Sequence, residues 1–305
     1  MTVVAAHSST GSALRTRLDA QRWHFQHGPI DIVLGADGEP DVVAAFVDDA
    51  WARLQHILTE LVCELPALRT PAAPGVLRGR IARRMEAACL PHRPAFITPM
   101  AAVAGAVADE LIALAQARPG LRRAYANNGG DIALHLPSGS SFRVGLFADL
   151  GRLAWGERLR LDGDTLIDST MPVRGVATSG WRGRSFSLGI ADAVTVLAGN
   201  AAQADAAATM IANAVNADHA GIARGPACAL KDDSDLGDRM VTVHVPPLPD
   251  DIVQTALAAG ARHAQDLVER GLVFAAVLWL QGRVRCAGAL APALARSCTF
   301  RSTSL

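Results

Sequence analysis

From Asp41 to about Glu64, apolar residues recur three and four positions apart: Val43, Phe46, Val47, Trp51, Leu54, Ile57, Leu58 and Leu61. That spacing puts them on one face of an amphipathic helix, and Asp41, following Pro40, is its expected N-cap. The Pro- and Ala-rich stretch Pro66 to Pro74 interrupts the pattern. A second helix is expected after it, with Arg78, Arg80, Arg83 and Arg84 on a solvated face. Thr98 to about Ala117 predicts a third helix crowded with small residues (Ala101, Ala102, Ala104, Gly105, Ala106, Ala108), which let another backbone or a ligand come close. Ala201 to Val215 and Asp250 to about Arg270 predict two more.

Strand signals fall in separate blocks. Trp23 to Phe25 and Ile30 to Leu34, with a turn at Gly35-Ala36-Asp37-Gly38, suggest a hairpin. Strands dominate from Ala124 to Val196, with turns at Pro137-Ser138-Gly139 and Asp162-Gly163-Asp164 and strand-like runs at Phe142 to Phe147 and Arg158 to Leu161. A closing hairpin runs from Val273 to Cys286 around Gln281-Gly282. Strands and helices that segregate instead of alternating predict an α+β fold with antiparallel sheets. The polar stretch 1–20 reads as a flexible N-terminus and 21–300 as one domain. Strand pairs followed by helices occur in both halves, so two intimately packed repeats are allowed. The longest apolar run, Leu272 to Leu280, is about half the roughly 20 residues a membrane-spanning helix needs and reads as a buried strand.

At 305 residues with 50% hydrophobic content, the chain can bury a sizeable core. Lys plus Arg (29) equals Asp plus Glu (29), so no net field favours nucleic acid or an anionic membrane. Any charged ligand must be met locally. The five cysteines, Cys63, Cys89, Cys228, Cys286 and Cys298, form no CxxC pair, and the nine histidines form no H-x₃-H or H-E-x-x-H pattern. Neither a disulfide framework nor a zinc site is expected. Met1 to Arg15 lack a basic-then-apolar leader pattern and a nearby lipid-accepting cysteine, so the expected location is the cytoplasm.

Three short polar motifs carry the candidate chemistry. Asn127-Asn128-Gly129-Gly130-Asp131 precedes the strand-like Ile132 to Leu136; its glycines would let a ligand lie against backbone amides, or they simply make a tight turn. Thr178-Ser179-Gly180-Trp181-Arg182-Gly183-Arg184-Ser185 crowds hydroxyls, glycines and guanidinium forks suited to phosphate or carboxylate; the alternative is a solvated hairpin tip. Asp205 and Thr209 sit four apart in an otherwise apolar helix, one turn apart on one face, and Asn213 continues the row. Their hard oxygen donors suit Mg²⁺, while a structural reading has Asp205 cap the first turn or a nearby loop. Asp192 is a further acid inside an apolar run; with Asp131 it is a candidate general base, and a structural hydrogen bond is its other reading. The acidic stretch Asp232, Asp233, Asp235, Asp238 lacks the spacing of a calcium loop and reads as solvated.

Taken in order, Gly129-Gly130-Asp131, Thr178-Ser179-Gly180, Val194-Thr195-Val196, and Ala204-Asp205-Ala206 with Thr209 resemble the ApbE-like superfamily of flavin transferases. The match is best to a cytoplasmic branch in which His27-Gly28-Pro29-Ile30-Asp31 and Ser187 to Asp192 also recur, and it covers about residues 20 to 300. The resemblance implies two fused tunnelling-fold units and helices packed on one side of antiparallel sheets. It also implies a site that binds FAD or FMN with Mg²⁺, the metal held by Asp205 and Thr209. The ligand would be cradled by Asn128, Gly129, Gly130, Asp131, Thr178, Ser179 and Gly180, with Arg182 and Arg184 on its phosphates. Met100 to Asp109 resembles the segment that lines the flavin pocket and offers a backbone carbonyl to the metal. Two departures stand out: Ala104 occupies the position of the family's lysine, and the connection Trp181 to Asp192 has no histidine where the transferases carry one. Those departures count against moving FMN onto a protein and leave ligand binding standing. The implied partner is a small nucleotide-like molecule, a flavin or a pterin, bound for turnover or merely carried; a homo-oligomer is compatible with the sequence.

Overall fold

The structure is a computed structural model describing residues 12–146, 163–183 and 185–289. Its strands are β1 (Leu14–Arg17), β2 (Arg22–His27), β3 (Ile30–Gly38), β4 (Leu121–Asn128), β5 (Asp131–His135), β6 (Ser141–Leu146), β7 (Gly163–Asp168), β8 (Gly175–Ser179), β9 (Ala193–Ala198), β10 (Ala223–Pro226), β11 (Met240–His244), β12 (Ala275–Leu280) and β13 (Arg283–Gly288). The helices are α1 (Pro40–Cys63), α2 (Leu65–Leu68), α3 (Arg80–Cys89), α4 (Val103–Ala113), α5 (Ala201–Ala214), α6 (Ala227–Leu230) and α7 (Asp250–Glu269), with short 3₁₀ turns at Leu90–His92, Pro99–Ala102 and Leu114–Ala117.

Nine strands form one sheet in the order β1-β2-β3-β4-β5-β8-β9-β12-β13. Every neighbouring pair is antiparallel. The order contains the same plan twice. In β2-β3-β4-β5 and again in β8-β9-β12-β13, four strands lie in chain order, with the helices inserted between the second and third. This is the α+β duplication expected of two fused tunnelling-fold units, joined edge to edge where β5 meets β8 at Ile132–Val176 and Ala133–Gly175.

The helices cover one face. Phe25, Ile32, Leu34, Ala124 and Ala126 bury against α1, α3 and α4, while Val194, Val196, Leu278 and Leu280 bury against α5 and α7. The helix α5 lies at the joint between these two cores. Ala201, Ala202, Ala206 and Met210 belong to the first, and Ala204, Ala207, Ala208, Ile211 and Ala212 to the second. Alanine suits a helix that must approach neighbours on both flanks. The strip left between the flanks is Asp205, Thr209 and Asn213, all partly exposed. On the opposite sheet face, Leu197, Val277 and Trp279 pack with Val144 and Ile167 of the β6–β7 hairpin, so β9 and β12 are buried at all six positions. That explains why the run Leu272 to Leu280 reads as continuously apolar.

Several local expectations are corrected. The first hairpin turns at Gly28-Pro29, and Gly35 to Gly38 continue β3. The glycine at 35 answers to packing, because a Cβ there would collide with the Tyr125 ring. The N-cap of α1 is Glu39, Pro40 is its first residue, and Asp41 lies in the first turn, where its charge complements the helix dipole. Pairing of β1 with β2 extends the sheet into the stretch expected to be flexible. Of the arginines expected on a solvated face, Arg80 stays exposed while Arg84 is partly buried, and both converge with Arg53 on Glu110, whose side chain is 3% exposed. In the acidic loop, Asp232, Asp233 and Asp238 are exposed as the solvated reading expects, while Asp235 is partly buried and accepts from the Thr98 hydroxyl. Arg158 to Leu161 lie outside the described residues, as do Arg184 and Cys298. Among the described residues, Pro99–Ala117 is long and apolar enough to cross a membrane by composition. Its core is α4, whose Ala106, Val107, Ala108 and Leu111 lie inside the packed core.

Candidate functional site

The site grows from the contact between α4 and α5. Gly105 lies so close to α5 that a Cβ would strike the Ala201 carbonyl and the Ala202 amide. That closeness lets the Gly105 N–H donate to Asp205 Oδ2 at 3.0 Å. One turn further along α4, Asp109 accepts from the Ala201 and Ala202 N–H groups at 3.0 and 2.9 Å. Those donors are among the unsatisfied amides at the start of α5, and Asn200 takes a third, from Gln203, at 2.9 Å. Two carboxylates, Asp205 on α5 and Asp109 on α4, thereby clamp the two helices together.

The β4–β5 hairpin closes the site from the sheet side. Gly129 (φ +67°) and Gly130 (φ +115°) make a two-residue turn in which both positions require positive φ. Asn127 Oδ1 accepts from Gly130 N at 2.8 Å, and Asn128 Nδ2 donates to the Ala104 carbonyl at 3.1 Å, tying the turn to the start of α4. Asp131 follows on the helix-covered face, since Ala133 two residues on packs in the first core. Its Oδ1 accepts from Thr178 N at 3.3 Å across the β5–β8 seam.

Asp131 and Asp205 therefore approach from opposite sides and oppose one another electrostatically. Both residues are partly exposed while their carboxyl groups are enclosed. Burial pushes the Asp131 carboxyl up to about 7, against the Thr178 N–H. Asp205 rises well above the ordinary carboxylate range through burial first and the charge of Asp131 second; the Gly105 and Ala104 N–H groups oppose this, and Asp109 adds to it. The charge of Asp205, after burial, helps keep the Cys89 thiol protonated. The groups acting on the two acids are thus backbone N–H donors and other carboxylates. A low-dielectric site with two acids and no cation among these neighbours favours uptake of a proton or a metal ion. Thr209, one turn beyond Asp205, adds a hydroxyl. Two carboxylates and a hydroxyl are hard oxygen donors of the kind that suits Mg²⁺, which keeps several waters and takes one or two protein carboxylates. Among the described residues no group of three or more His, Cys, Asp or Glu could hold a metal, which disfavours an all-protein cage.

The second motif divides by sheet face. Thr178 supplies its backbone N–H to Asp131, but its hydroxyl pairs with Thr195 Oγ1 at 2.9 Å on the face opposite the helices. Ser179 shares the helix-covered face with Ala177. Gly180 permits a close approach to the Asp192 backbone, where any Cβ would collide. Arg182 stacks over Trp181 and lies 3.7 Å from Asp192 Oδ1, at the rim and not between the two acids. Asp192 accepts from Trp181 Nε1 at 3.2 Å and from Gln281 N at 2.6 Å. It is the clip holding this loop to the β12–β13 turn, and its geometry is that of the structural reading. Asn213 Oδ1 accepts from Leu188 N at 2.9 Å and so anchors the segment Ser187 to Asp192 along α5. The capping role of Asp109 is the contribution that sequence patterns missed; its position four after Gly105, matching Thr209 four after Asp205, was the available signal.

A family model described as "AbpE bacteria" matches residues 15–286. The UPF0280 protein of Methanocaldococcus jannaschii is 40% identical over 119 residues, covering 39% of this chain and 45% of that protein. The UPF0280 protein of Methanopyrus kandleri is 34% identical over 193 residues, covering 62% and 71%. The match thus spans under half the length of the Methanocaldococcus relative and also of one from Methanothermobacter thermautotrophicus (45%). Among solved structures, the ApbE protein from Thermotoga maritima is similar with a TM-score of 0.42 at 13% identity, covering 90% of this chain and 96% of that one. A mutant of the flavin transferase ApbE from Vibrio cholerae gives a TM-score of 0.47 at 10% identity, covering 92% and 98%.

Proposed function

Since this chain belongs to the family described as AbpE bacteria, we propose that it binds a flavin nucleotide together with Mg²⁺ between α4, α5 and the β4–β5 turn, and acts on that nucleotide as a transferase-like enzyme of cofactor metabolism. The observation that carries the reading is the Asp131–Asp205 pair: two enclosed acids of raised proton affinity, placed beside backbone amides. A bound magnesium ion would supply charge neutralisation and Lewis acidity at a phosphate oxygen. Asp205 is oriented for this by the Gly105 N–H, and Thr209 lies one turn away on the same strip. Asp131, with its proton affinity near neutrality, can hold or release a proton at its carboxyl oxygen in the working pH range. The glycine turn leaves backbone close to the ligand, and Arg182 stands at the rim, oriented by Asp192.

A second reading, a flavin- or pterin-binding carrier without turnover, is supported by the methyl side chain of Ala104 near the start of α4, where the resemblance calls for a lysine. One experiment separates the two. Incubation of the full chain with FAD and Mg²⁺, followed by chromatography, would show FAD consumed over time if the protein turns it over. Stoichiometric retention of intact FAD supports the carrier. Calorimetry showing no binding of FAD sinks the flavin assignment in both readings, and Mg²⁺ affinity unchanged in Asp205→Ala sinks the metal assignment of the first.

A further inference from the structure

At the far end of the α4–α5 contact, a cavity of about 370 Å³ opens between the C-terminal half of α4, the end of β5 and the start of α5. Asp131 and His135 stand at opposite ends of β5, roughly 13 Å apart at strand rise, so this cavity is separated from the acid pair by the body of the helix contact. We propose that it is a second binding site, for a heteroaromatic ring carrying one anionic group.

The volume lies within the roughly 300–1,000 Å³ of small-molecule sites. Ile112 and Leu136 give apolar walls for a planar ring, while Gln116, His135 and Asn200 line it with groups able to hydrogen-bond a ring edge. Asn200 spends its Oδ1 on Gln203 N, so its amide nitrogen is the end left to donate. The charge that favours an anion is that of Arg174, which lines the cavity and is held by neutral carbonyls; Arg84 is paired with Glu110, and the lining acid, Asp109, has both oxygens engaged by the α5 amides.

The walls are also preorganised. Arg174 donates to the carbonyls of Met171, Val173, Leu136 and Ser169. Arg84 donates to the Ala106 carbonyl at 3.2 Å and to Glu110 at 3.0 Å. Arg174, fixed by neutral carbonyls, keeps its positive charge at the cavity with little ordering left to do on binding, while Arg84, paired with Glu110, is a fixed polar wall.

The test is calorimetry of the full chain, without metal, against AMP and nicotinate as ring-bearing anions, with adenosine and inorganic phosphate as the separated halves. At least one ring-bearing anion should bind, more tightly than adenosine or phosphate. Its affinity should fall at least tenfold in Gln116→Glu, an exposed position where a like charge enters without disturbing the core, and likewise in Ala113→Trp, which fills the cavity. In Asp205→Ala it should be unchanged. No binding of either anion, equal binding by the separated halves, indifference to Gln116→Glu, or loss in Asp205→Ala would each overturn the proposal. The Asp205→Ala arm keeps this outcome independent of the flavin reading.

Discussion

Gly105 and Asp205 meet across the α4–α5 contact, the glycine N–H donating to the carboxylate at 3.0 Å in a space where no side chain fits between the helices. A methyl group at 105 must push against the backbone of Ala201 and Ala202, which cannot rotate away as a side chain would. Gly105→Ala should therefore separate α4 from α5, costing about 1–3 kcal/mol through overpacking. It should also weaken Mg²⁺ binding by moving Asp205. Urea unfolding gives the first number and calorimetry the second. Unchanged values in both would mean that the helices slide apart freely and that the contact does not set the site.

Asp131 predicts how metal and pH combine. Its native carboxyl titrates at about 7 against an ordinary value of 3.8, so the native state holds a proton that the unfolded chain has lost. The associated stability is present below about pH 4 and disappears as pH rises through about 7. Metal-free protein should consequently lose on the order of 2 kcal/mol between pH 5 and pH 8 from this site. Mg²⁺ should raise the melting temperature more at pH 8 than at pH 5, since protons and metal compete for the same oxygens. Asp131→Asn should shrink the difference between the two pH values, Asp205 remaining as the other buried acid; in the native sequence, a metal effect equal at both would refute the competition.

How much of this was legible beforehand depends on how far apart in the chain the partners lie. Asp205 and Thr209 stood out because four-residue spacing in an alanine-rich helix is a local pattern, visible without knowing the fold. The apolar run around Val194 to Val196 and the hairpin at Gln281-Gly282 were local too, and both elements formed as expected. That Asp131 faces Asp205 depends on β5 pairing with β8 and on α4 lying against α5, relationships between segments tens of residues apart. The partial burial of Arg84 escaped notice for the same reason, because its partner Glu110 lies on another helix. Gly35 to Gly38 misled differently: glycine signals a turn only when backbone freedom is its purpose, and at Gly35 the purpose is room for Tyr125.

Glu110 offers a prediction about the fold alone. Burial raises its proton affinity, but hydrogen bonds from Arg53 and Arg84 and the charge of Arg80 more than offset this and hold it below the ordinary range. Glu110→Gln keeps the shape and removes the charge on which three guanidinium groups converge at 2.9–3.2 Å. Breaking a buried pair costs about 3–5 kcal/mol; with Arg80 largely exposed, about 2–3 kcal/mol is expected here. The loss should be larger at low salt, where repulsion among the arginines is unscreened. Denaturant midpoints at two ionic strengths measure it, and a cost that does not grow as salt is lowered would contradict the electrostatic account.

His92 should govern the acid limb of stability, with a sign opposite to that of Asp131. Burial, then the neighbouring His263 and Arg270, push its imidazole down to about 4. Its Nδ1 and the Nε2 of His263 are buried without a hydrogen-bond partner in the structure. The unfolded chain takes up a proton near 6.5 while the native state refuses it until about 4, so the contribution is complete above 6.5 and drains away as pH falls through that window. The full span of about 2.5 pKa units corresponds to roughly 3 kcal/mol. His92→Gln, which cannot titrate, should flatten the decline in stability between pH 6.5 and pH 4 by about one proton's worth of slope, even if it lowers stability at pH 7 through poorer packing. Urea unfolding across that range separates the two effects, because packing shifts the whole curve and titration changes its gradient. An unaltered gradient would mean that His92 reaches solvent readily enough to be protonated in the native state.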